Sequence, residues 1–470
     1  MRFSMFILDS KSKTPLYRQL YQQLRVKILN GEISQQKRLT SSRSLSKELK
    51  VSRNTVDTAY QQLLSEGYIV GKPRSGYYVE TINHAGASFL LETPEPETLS
   101  EPSTEKIKYD FTYGSLPLNT FPFAKWQRLT NVCIRKYKKE LSNYSSFMGE
   151  LGLRKEIVKY LREYRDVKCS VEQILITSGT RHCLTIACQI LRTTADDAIA
   201  MEDPGYRGAY FTFLNQGFSV DPIGLNHHGI NVKALHASNA KAVYITPSHQ
   251  FPTGRIMSIT RRLHLIEWAY ERDAYIIEDD YNSHLRYDVK PISSLQGLAP
   301  ERVIYIGSFS KVLLPSLRVA YMVLPKNLVK KLQHQPDYNA CSVPFLIQKP
   351  LELFMSEGYF ESHLRKMINH FKKKHNALVS ALKENFGDDI SISGMNAGIH
   401  LLVQINHSLS SSKLIEKAAK AGIAIYENDK LWVHFGPQPS TYVLLGFSAI
   451  ELDDIFPAIS RLRKIWSEVK

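Results

Sequence analysis

Val303-Ile-Tyr-Ile-Gly307, running into Ser308-Phe309-Ser310-Lys311, is the stretch on which the reading of the whole chain turns. An apolar run of this length predicts a strand buried on both faces, as in a parallel sheet. The lysine then stands at the strand's carboxyl end, with two hydroxyls before it and Arg318 shortly after. Such a group offers an amine to an aldehyde and three kinds of donor to a phosphate. Pyridoxal 5'-phosphate (PLP) carries both groups. Taken alone the tetrapeptide is equally a serine-rich solvated loop, so the reading rests on four more segments.

Ile174-Leu-Ile-Thr-Ser-Gly-Thr180 is an apolar strand that passes through small residues into a helical pattern, leaving backbone amides at a helix N-terminus for a phosphate. Met201-Glu-Asp-Pro-Gly-Tyr206 ends a strand in a turn that would set an aromatic ring over a flat cofactor. Val243 through Gly254 is again strand then turn, and Tyr275-Ile-Ile-Glu-Asp-Asp-Tyr281 is a buried strand closing on carboxylates and a phenol. An acid at a pyridine nitrogen keeps it protonated and makes the ring an electron sink, and a phenol bonds the ring oxygen. All these strand ends sit where open α/β sheets place ligands. Singly, Asp279 and Asp280 read as helix caps, Tyr206 and Tyr281 as core-edge aromatics, and Arg318 as a surface ion-pair partner. Five strand ends in this order, with Lys311 last, favour the cofactor.

In these segments the chain resembles the fold-type I aminotransferases, and with its N-terminal segment it resembles regulators of the MocR/GabR group within the GntR superfamily. The resemblance implies Lys311 as the Schiff-base lysine, Asp279 at the pyridine nitrogen, Tyr281 at the ring oxygen and Tyr206 as the stacking ring. It implies a phosphate held by Ser178, Gly179, Thr180, Ser308, Ser310 and Arg318, and it places Tyr113, in Tyr109 to Gly114, at the pocket lining. Two departures stand out. Phe251 replaces the asparagine that ordinary aminotransferases carry before Pro-Thr-Gly, as an aromatic often does in the regulator group. The arginine that clamps an amino-acid carboxylate would fall near Leu444 to Phe447, where none occurs. The arginines used by members that sense a γ-amino acid fall at Gly208 and Lys430, with Arg207 adjacent to the first. A lysine meets a carboxylate without the bidentate fork. Tyr113, Arg207, Phe251 and Lys430 are thus the expected effector contacts.

The chain has 470 residues, more than one hydrophobic core usually organises, so two or more domains are expected. Residues 1–80 hold 14 Lys/Arg against 6 Asp/Glu, so +8 of the total +15 lies in about a sixth of the chain, which suggests a polyanion as partner. Leu16 to Ile28 is apolar at helical spacing; Ser44 to Lys50 reads as a second helix; Ser52 caps a third through Leu64. Tyr68 to Val70 and Tyr77 to Val79 flank Lys72-Pro-Arg-Ser-Gly76 as a hairpin, which completes a winged helix-turn-helix. Leu39-Thr-Ser-Ser-Arg43 and Val51-Ser-Arg-Asn-Thr55 match the GntR pattern. A helix fits the major groove and its N-terminal donors reach bases and phosphates. Arg43, Ser52, Arg53, Asn54 and Thr55 are the candidates, with Lys72, Arg74 and Gly76 in the wing.

Residues 81–106 form the expected linker: residues 81 to 105 contain five glutamates and three prolines and no Lys or Arg. The aminotransferase-like part is then 107–470, with a large domain at about 165–340 and a small α+β domain at about 345–470. Strands beginning near 174, 198, 218, 241, 274, 303 and 318 imply a large, mainly parallel α/β sheet. Five cysteines without paired spacing suggest neither disulfides nor a metal site. No apolar run approaches a membrane span or a signal segment, so a cytoplasmic home is expected, nucleoid-associated when the protein is bound to DNA.

The expected function is an effector-responsive transcription regulator that binds a double-stranded DNA operator. An amine effector (an amino acid, a γ-amino acid or a dipeptide) would displace Lys311 and form an external aldimine with PLP. The alternatives are a working aminotransferase with a DNA-binding appendage, and a regulator that senses PLP itself. A homodimer is expected; the resemblance implies an exchange of winged domains across it, which the linker could span.

Overall fold

The computed structural model describes residues 6–81, 107–117, 120–287, 292–333, 341–406, 408–426, 431–433 and 441–467. It divides into two units, Met1–Pro102 and Ser103–Lys470. The acidic stretch read as a linker lies, apart from Thr81, outside the described residues.

In the first unit, α1 (Leu16–Leu29), α2 (Ser42–Leu49) and α3 (Arg53–Ser65) are followed by β1 (Ile69–Lys72) and β2 (Gly76–Val79), an antiparallel hairpin. The apolar stripes of the helices meet: Leu20, Leu24 and Ile28 of α1 pack with Leu45 of α2 and with Val56, Ala59, Tyr60 and Leu63 of α3. Burying each such leucine contributes about 2 kcal/mol. Helix α2 starts two residues before the expected Ser44, because Ser41 caps it by accepting from the Ser44 N–H, and it stops at Lys50, which turns left-handed at φ 54°.

In the second unit, β3 (Tyr109–Phe111) precedes the large sheet. That sheet comprises β4 (Ile174–Thr177), β5 (Ala198–Asp203), β6 (Ser219–Asn226), β7 (Gly229–Ile230), β8 (Ala240–Ile245), β9 (Tyr275–Asp279), β10 (Val303–Ser308) and β11 (Ala320–Val323), in the order β4-β11-β10-β9-β8-β5-β6-β7. Strands β4, β9, β10 and β11 are buried along almost their whole length, as strands covered on both faces must be. The short β7, which the sequence reading lacks, runs antiparallel at the edge.

Strand β11 is antiparallel to both neighbours, and this decides the position of Arg318. Ala320 pairs with Ser308 on one side and Thr177 on the other. The segment that enters β11 therefore lies on the rim where β4 and β10 end, and a residue preceding a strand joins residues that follow strands.

The small domain is a three-stranded antiparallel sheet of β12 (Ile390–Ser393), β13 (His400–Ile405) and β15 (Thr441–Gly446), backed by helices Tyr359–Phe386 and Ile455–Ser467. The separate β14 (Ile423–Ile425) pairs in parallel with β3, tying the start of this unit to its end.

Candidate cofactor site and nucleic-acid interface

One cavity of about 270 Å³ opens on the rim of the large sheet. Lys311, Ser308 and Ser310 line it from the end of β10, Asp279 and Tyr281 from the end of β9, and Arg318 from the entry to β11. Of the other residues that the sequence reading brought forward, Tyr113, Thr180, Tyr206 and Phe251 also line it.

Side-chain alternation sorts the three acids that close β9. Glu278 points to the helical layer, where its carboxylate accepts from the N–H groups of Leu295 and Gln296, both at 3.0 Å. Asp280 points the same way, accepts the Tyr305 hydroxyl at 2.5 Å and pairs with the buried Arg165 at 2.7 Å. Burial alone would raise its pKa, and the Arg165 guanidinium overrides that and holds it below the usual carboxylate range. Asp279 points into the cavity. Its Oδ2 accepts from the Tyr244 hydroxyl at 2.7 Å, while Oδ1 is buried with no hydrogen-bond partner. Burial pushes its pKa up to about 7, against the pull of Tyr244 and Lys311.

The amine of the half-buried Lys311 lies 3.8 Å from the centroid of the Tyr113 ring, and desolvation lowers its pKa to about 8, with the charge of Asp279 acting the other way. An amine so shifted is unprotonated, and hence nucleophilic, far more often than an ordinary lysine.

The phosphate end is shaped by close approach. Gly179 precedes the helix Thr180–Leu191 at φ 123°, and a Cβ built there would stand 2.3 Å from an Arg318 guanidinium nitrogen. Only glycine brings the helix N-terminus and Arg318 that close. Ser308 Oγ accepts from the Ser310 N–H at 3.2 Å. Ser178 is turned from the cavity: its Oγ meets His182 Nδ1 at 3.2 Å and its N–H donates to Ser342.

These residues fit PLP on three grounds: the unpartnered buried Oδ1 of Asp279 suits a pyridine N–H, the amine of Lys311 suits the aldehyde, and the notch between Gly179 and Arg318 suits the phosphate. Tyr206 caps the helix Arg207–Asn215, and its ring leaves no room for a side chain at 208, where a Cβ would lie 2.3 Å from the ring.

Part of the cavity lining is aromatic, with Tyr113, Phe251 and Tyr426. Phe251 also packs with Leu402, Leu431 and Leu444, none of which lines the cavity. Arg207 does not line the cavity; its guanidinium lies 4.8 Å over the Phe211 ring. Lys430 lies outside the described residues. The cavity also recruits Arg181, Tyr244, Thr246 and Tyr426, none of them found from sequence. Arg181 directly follows Thr180 and so had a signal; Tyr244 sits within the run of buried residues that closes β8, and Tyr426 is brought in by the pairing of β14 with β3, which left none.

In the first unit, Ser52 caps α3: its Oγ accepts from the Thr55 N–H at 3.1 Å and meets the Thr55 hydroxyl at 2.8 Å. Arg53 and Asn54 project from that first turn and are exposed, and Arg53 reaches Asp57 at 3.4 Å in a surface pair worth little. Arg43 is exposed on α2. In the wing, the Lys72 amine lies 4.6 Å over the Tyr78 ring, Arg74 takes φ 60° at the hairpin tip, and Gly76 takes φ 104°. Among the described residues the five cysteines are free, no group of acids, histidines and cysteines is placed to hold a metal ion, and no helix is long and apolar enough to cross a membrane.

Comparison with known proteins agrees with both halves. Residues 16–79 match the family of bacterial regulatory proteins, gntR family, and residues 108–439 match aminotransferase class I and II. The chain is 36% identical over 455 residues to the HTH-type transcriptional regulator YdeL of Bacillus subtilis, across 96% of this chain and 97% of that one. It is 32% identical over 473 residues to the probable rhizopine catabolism regulatory protein MocR of Rhizobium meliloti, across 98% and 95%. The crystal structure of Pyrococcus horikoshii kynurenine aminotransferase in complex with PMP superposes with a TM-score of 0.70 at 26% identity, covering 78% of this chain and 92% of that chain. Likeness that runs unbroken through both domains places the chain in the MocR-like branch of the GntR regulators, PLP-dependent transcription regulators whose second domain is of aminotransferase class I and II.

Proposed function

We propose that this regulator answers to a small amine that competes with Lys311 for the aldehyde of PLP. The observation that carries the proposal is the pairing of a half-buried amine of lowered pKa with a buried carboxylate oxygen that has no partner, across one cavity. PLP when bound supplies the aldehyde and an electron-withdrawing ring. The chain supplies the rest: Asp279 holds a proton at the ring nitrogen, Tyr281 faces the ring oxygen, Tyr206 lies against the ring, and the Gly179 turn, Ser308, Ser310 and Arg318 hold the phosphate. With an effector amine bound, Lys311 would keep its own amine at the cavity lining.

The lack of an arginine from Leu444 to Phe447 favours regulation over turnover. A transaminase must grip the carboxylate of one amino acid and then of a keto acid, and Leu444 offers neither a charge nor a fork. Coupling to DNA requires that the effector bind two domain arrangements with different free energy. We assign residues 1–80 to operator binding, through Arg43, the first turn of α3 and the wing, and 81–106 to a linker. Residues 107–470 form the effector domain, acting as a homodimer in the cytoplasm. The winged domain reads paired half-sites there.

Purified protein loaded with PLP is titrated with amino acids, γ-amino acids and dipeptides while absorbance and operator binding are followed together. A spectral change with one amine class, accompanied by a change in operator affinity, supports the reading. Steady transamination with ordinary amino acids overturns it. So does operator binding that changes on PLP loading and responds to no amine.

A further inference from the structure

Three cationic side chains among the described residues line the cavity: Arg181, Lys311 and Arg318. On the reading above, Lys311 meets the aldehyde of PLP and Arg318 its phosphate, and Arg181 is left over. It is the second residue of the helix Thr180–Leu191 and it is exposed, so its charge stands at the cavity rim. No described residue gives its guanidinium a hydrogen bond or an acid. A cation in the first turn of a helix works against the helix dipole. Arg181 thus sits where its charge does nothing for the fold, beside a cavity.

Its guanidinium belongs to the Tyr206 side of that cavity. Burial raises the pKa of the Tyr206 phenol and Asp279 adds to the rise, while Arg181 opposes it more than Arg318 does. Arg318 is held at the Gly179 turn, where a Cβ would stand 2.3 Å from one of its nitrogens. The Tyr206 ring folds over residue 208, where a Cβ would lie 2.4 Å from the hydroxyl oxygen. At the other end of the cavity, Asp279 is the charge that acts on the Lys311 amine.

The phosphate of PLP leaves Arg181 in excess. A phosphate monoester carries a charge of about −1.5 to −2. Arg318 contributes one positive charge and the helix N-terminus about half of one, which offsets most of it. Asp279 is the one carboxylate among the described lining residues, and its Oδ2 already accepts from Tyr244 at 2.7 Å. A second anion is therefore what the rim accommodates, and a guanidinium meets a carboxylate through two parallel hydrogen bonds.

We propose that Arg181 is the anion-binding residue of the effector site, so that the effector is an amine that also carries a carboxylate, set several bonds away from the amine. The amine answers to the aldehyde at Lys311 and the carboxylate to the guanidinium at the rim. This rests on the reading of Lys311 and PLP given above.

The test is a set of absorbance titrations of the PLP-loaded full chain. The probes are glycine, β-alanine, γ-aminobutyrate and δ-aminovalerate, whose carboxylates stand one carbon further from the amine each time, and propylamine, which has none. In the parent, one of the acids longer than glycine is expected to bind at least about tenfold tighter than propylamine. Arg181→Gln is expected to bring that ratio close to one. Arg181→Lys keeps the charge without the fork and is expected to leave the ratio in between. Raised salt should shrink the ratio in the parent, because the guanidinium is exposed. A ratio near one in the parent overturns the proposal, as does an equal ratio in the parent and Arg181→Gln. So does an Arg181→Gln chain that loses affinity for PLP and not for pyridoxal, since Arg181 would then serve the phosphate. A spectral response to propylamine without any preference for an acid defeats Arg181 alone. No response to any amine, with no PLP trapped at Lys311 by borohydride, defeats the PLP reading beneath it.

Discussion

Replacing Asp279 with asparagine should have opposite effects on the empty and the loaded protein. In the empty cavity the carboxyl titrates near 7 rather than near 3.8, because burial penalises its charge more than Tyr244 and Lys311 relieve it. The folded chain therefore holds the proton more tightly than the unfolded chain. Stability is lost as pH rises from the ordinary carboxyl value through 7, and it stays lost above. A shift of about three units corresponds to about 4 kcal/mol between pH 4 and pH 8.5. The uncharged amide of the variant has no such cost, and its carbonyl can still accept from Tyr244, as the carboxylate does in the parent. Denaturant unfolding of the full PLP-free chain should show Asp279→Asn close to the parent at pH 4 and more stable at pH 8.5, by up to that amount. The other acids raised by burial, Glu202 and Glu278, contribute equally to both proteins and cancel. With PLP present the order should reverse: the parent gains ligand-linked stability through the charged carboxylate at the ring nitrogen, and the variant gains much less. If the variant destabilises the PLP-free protein equally at both pH values, Asp279 is not a buried charge awaiting a partner, and the argument for a pyridine nitrogen there goes with it.

Lys311→Ala should abolish borohydride-stable attachment of PLP while leaving the phosphate notch able to bind it reversibly, as dialysis against the reduced protein would show. In the parent, the rate of PLP attachment should rise with pH through about 8, where the amine loses its proton. Gly179→Ala puts a methyl group 2.3 Å from an Arg318 nitrogen at a φ that side chains avoid, so affinity for PLP should fall at least about tenfold while affinity for pyridoxal, which has no phosphate, stays level. Arg53→Ala should weaken operator binding by about 1–3 kcal/mol in gel shifts and leave the PLP absorbance unchanged; loss of both, or of neither, would contradict its place on the reading turn.

What is legible in the sequence, and what is not, follows from how each residue reaches its place. Strand ends are local: apolar runs such as Val303 to Gly307 stop at Ser308 to Lys311, and the alternation beyond Ile277 already assigns Asp279 and its neighbours to opposite faces. The winged helix is local too, because caps such as Ser52 and the hairpin turn are written within a few residues. The start of α2 is two residues earlier than the sequence reading has it because its cap is Ser41, within a run of serines where several could serve. Arg318 is readable as a rim residue, but its reason, the reversed direction of β11, depends on pairing with two strands distant in sequence. Tyr426 reaches the cavity only through such a pairing, β14 with β3. The same distinction separates the two halves of the site. The residues proposed to hold the cofactor sit at strand ends and carry a local signature, whereas the aromatic lining beside them, Tyr113 and Tyr426, is assembled by the long-range pairing of β3 with β14. On the proposed reading a change of effector can therefore leave every recognisable motif intact: substitutions at Phe251 or Tyr426, which line the cavity, should alter which amine the protein answers to while Lys311 and Asp279 continue to hold PLP.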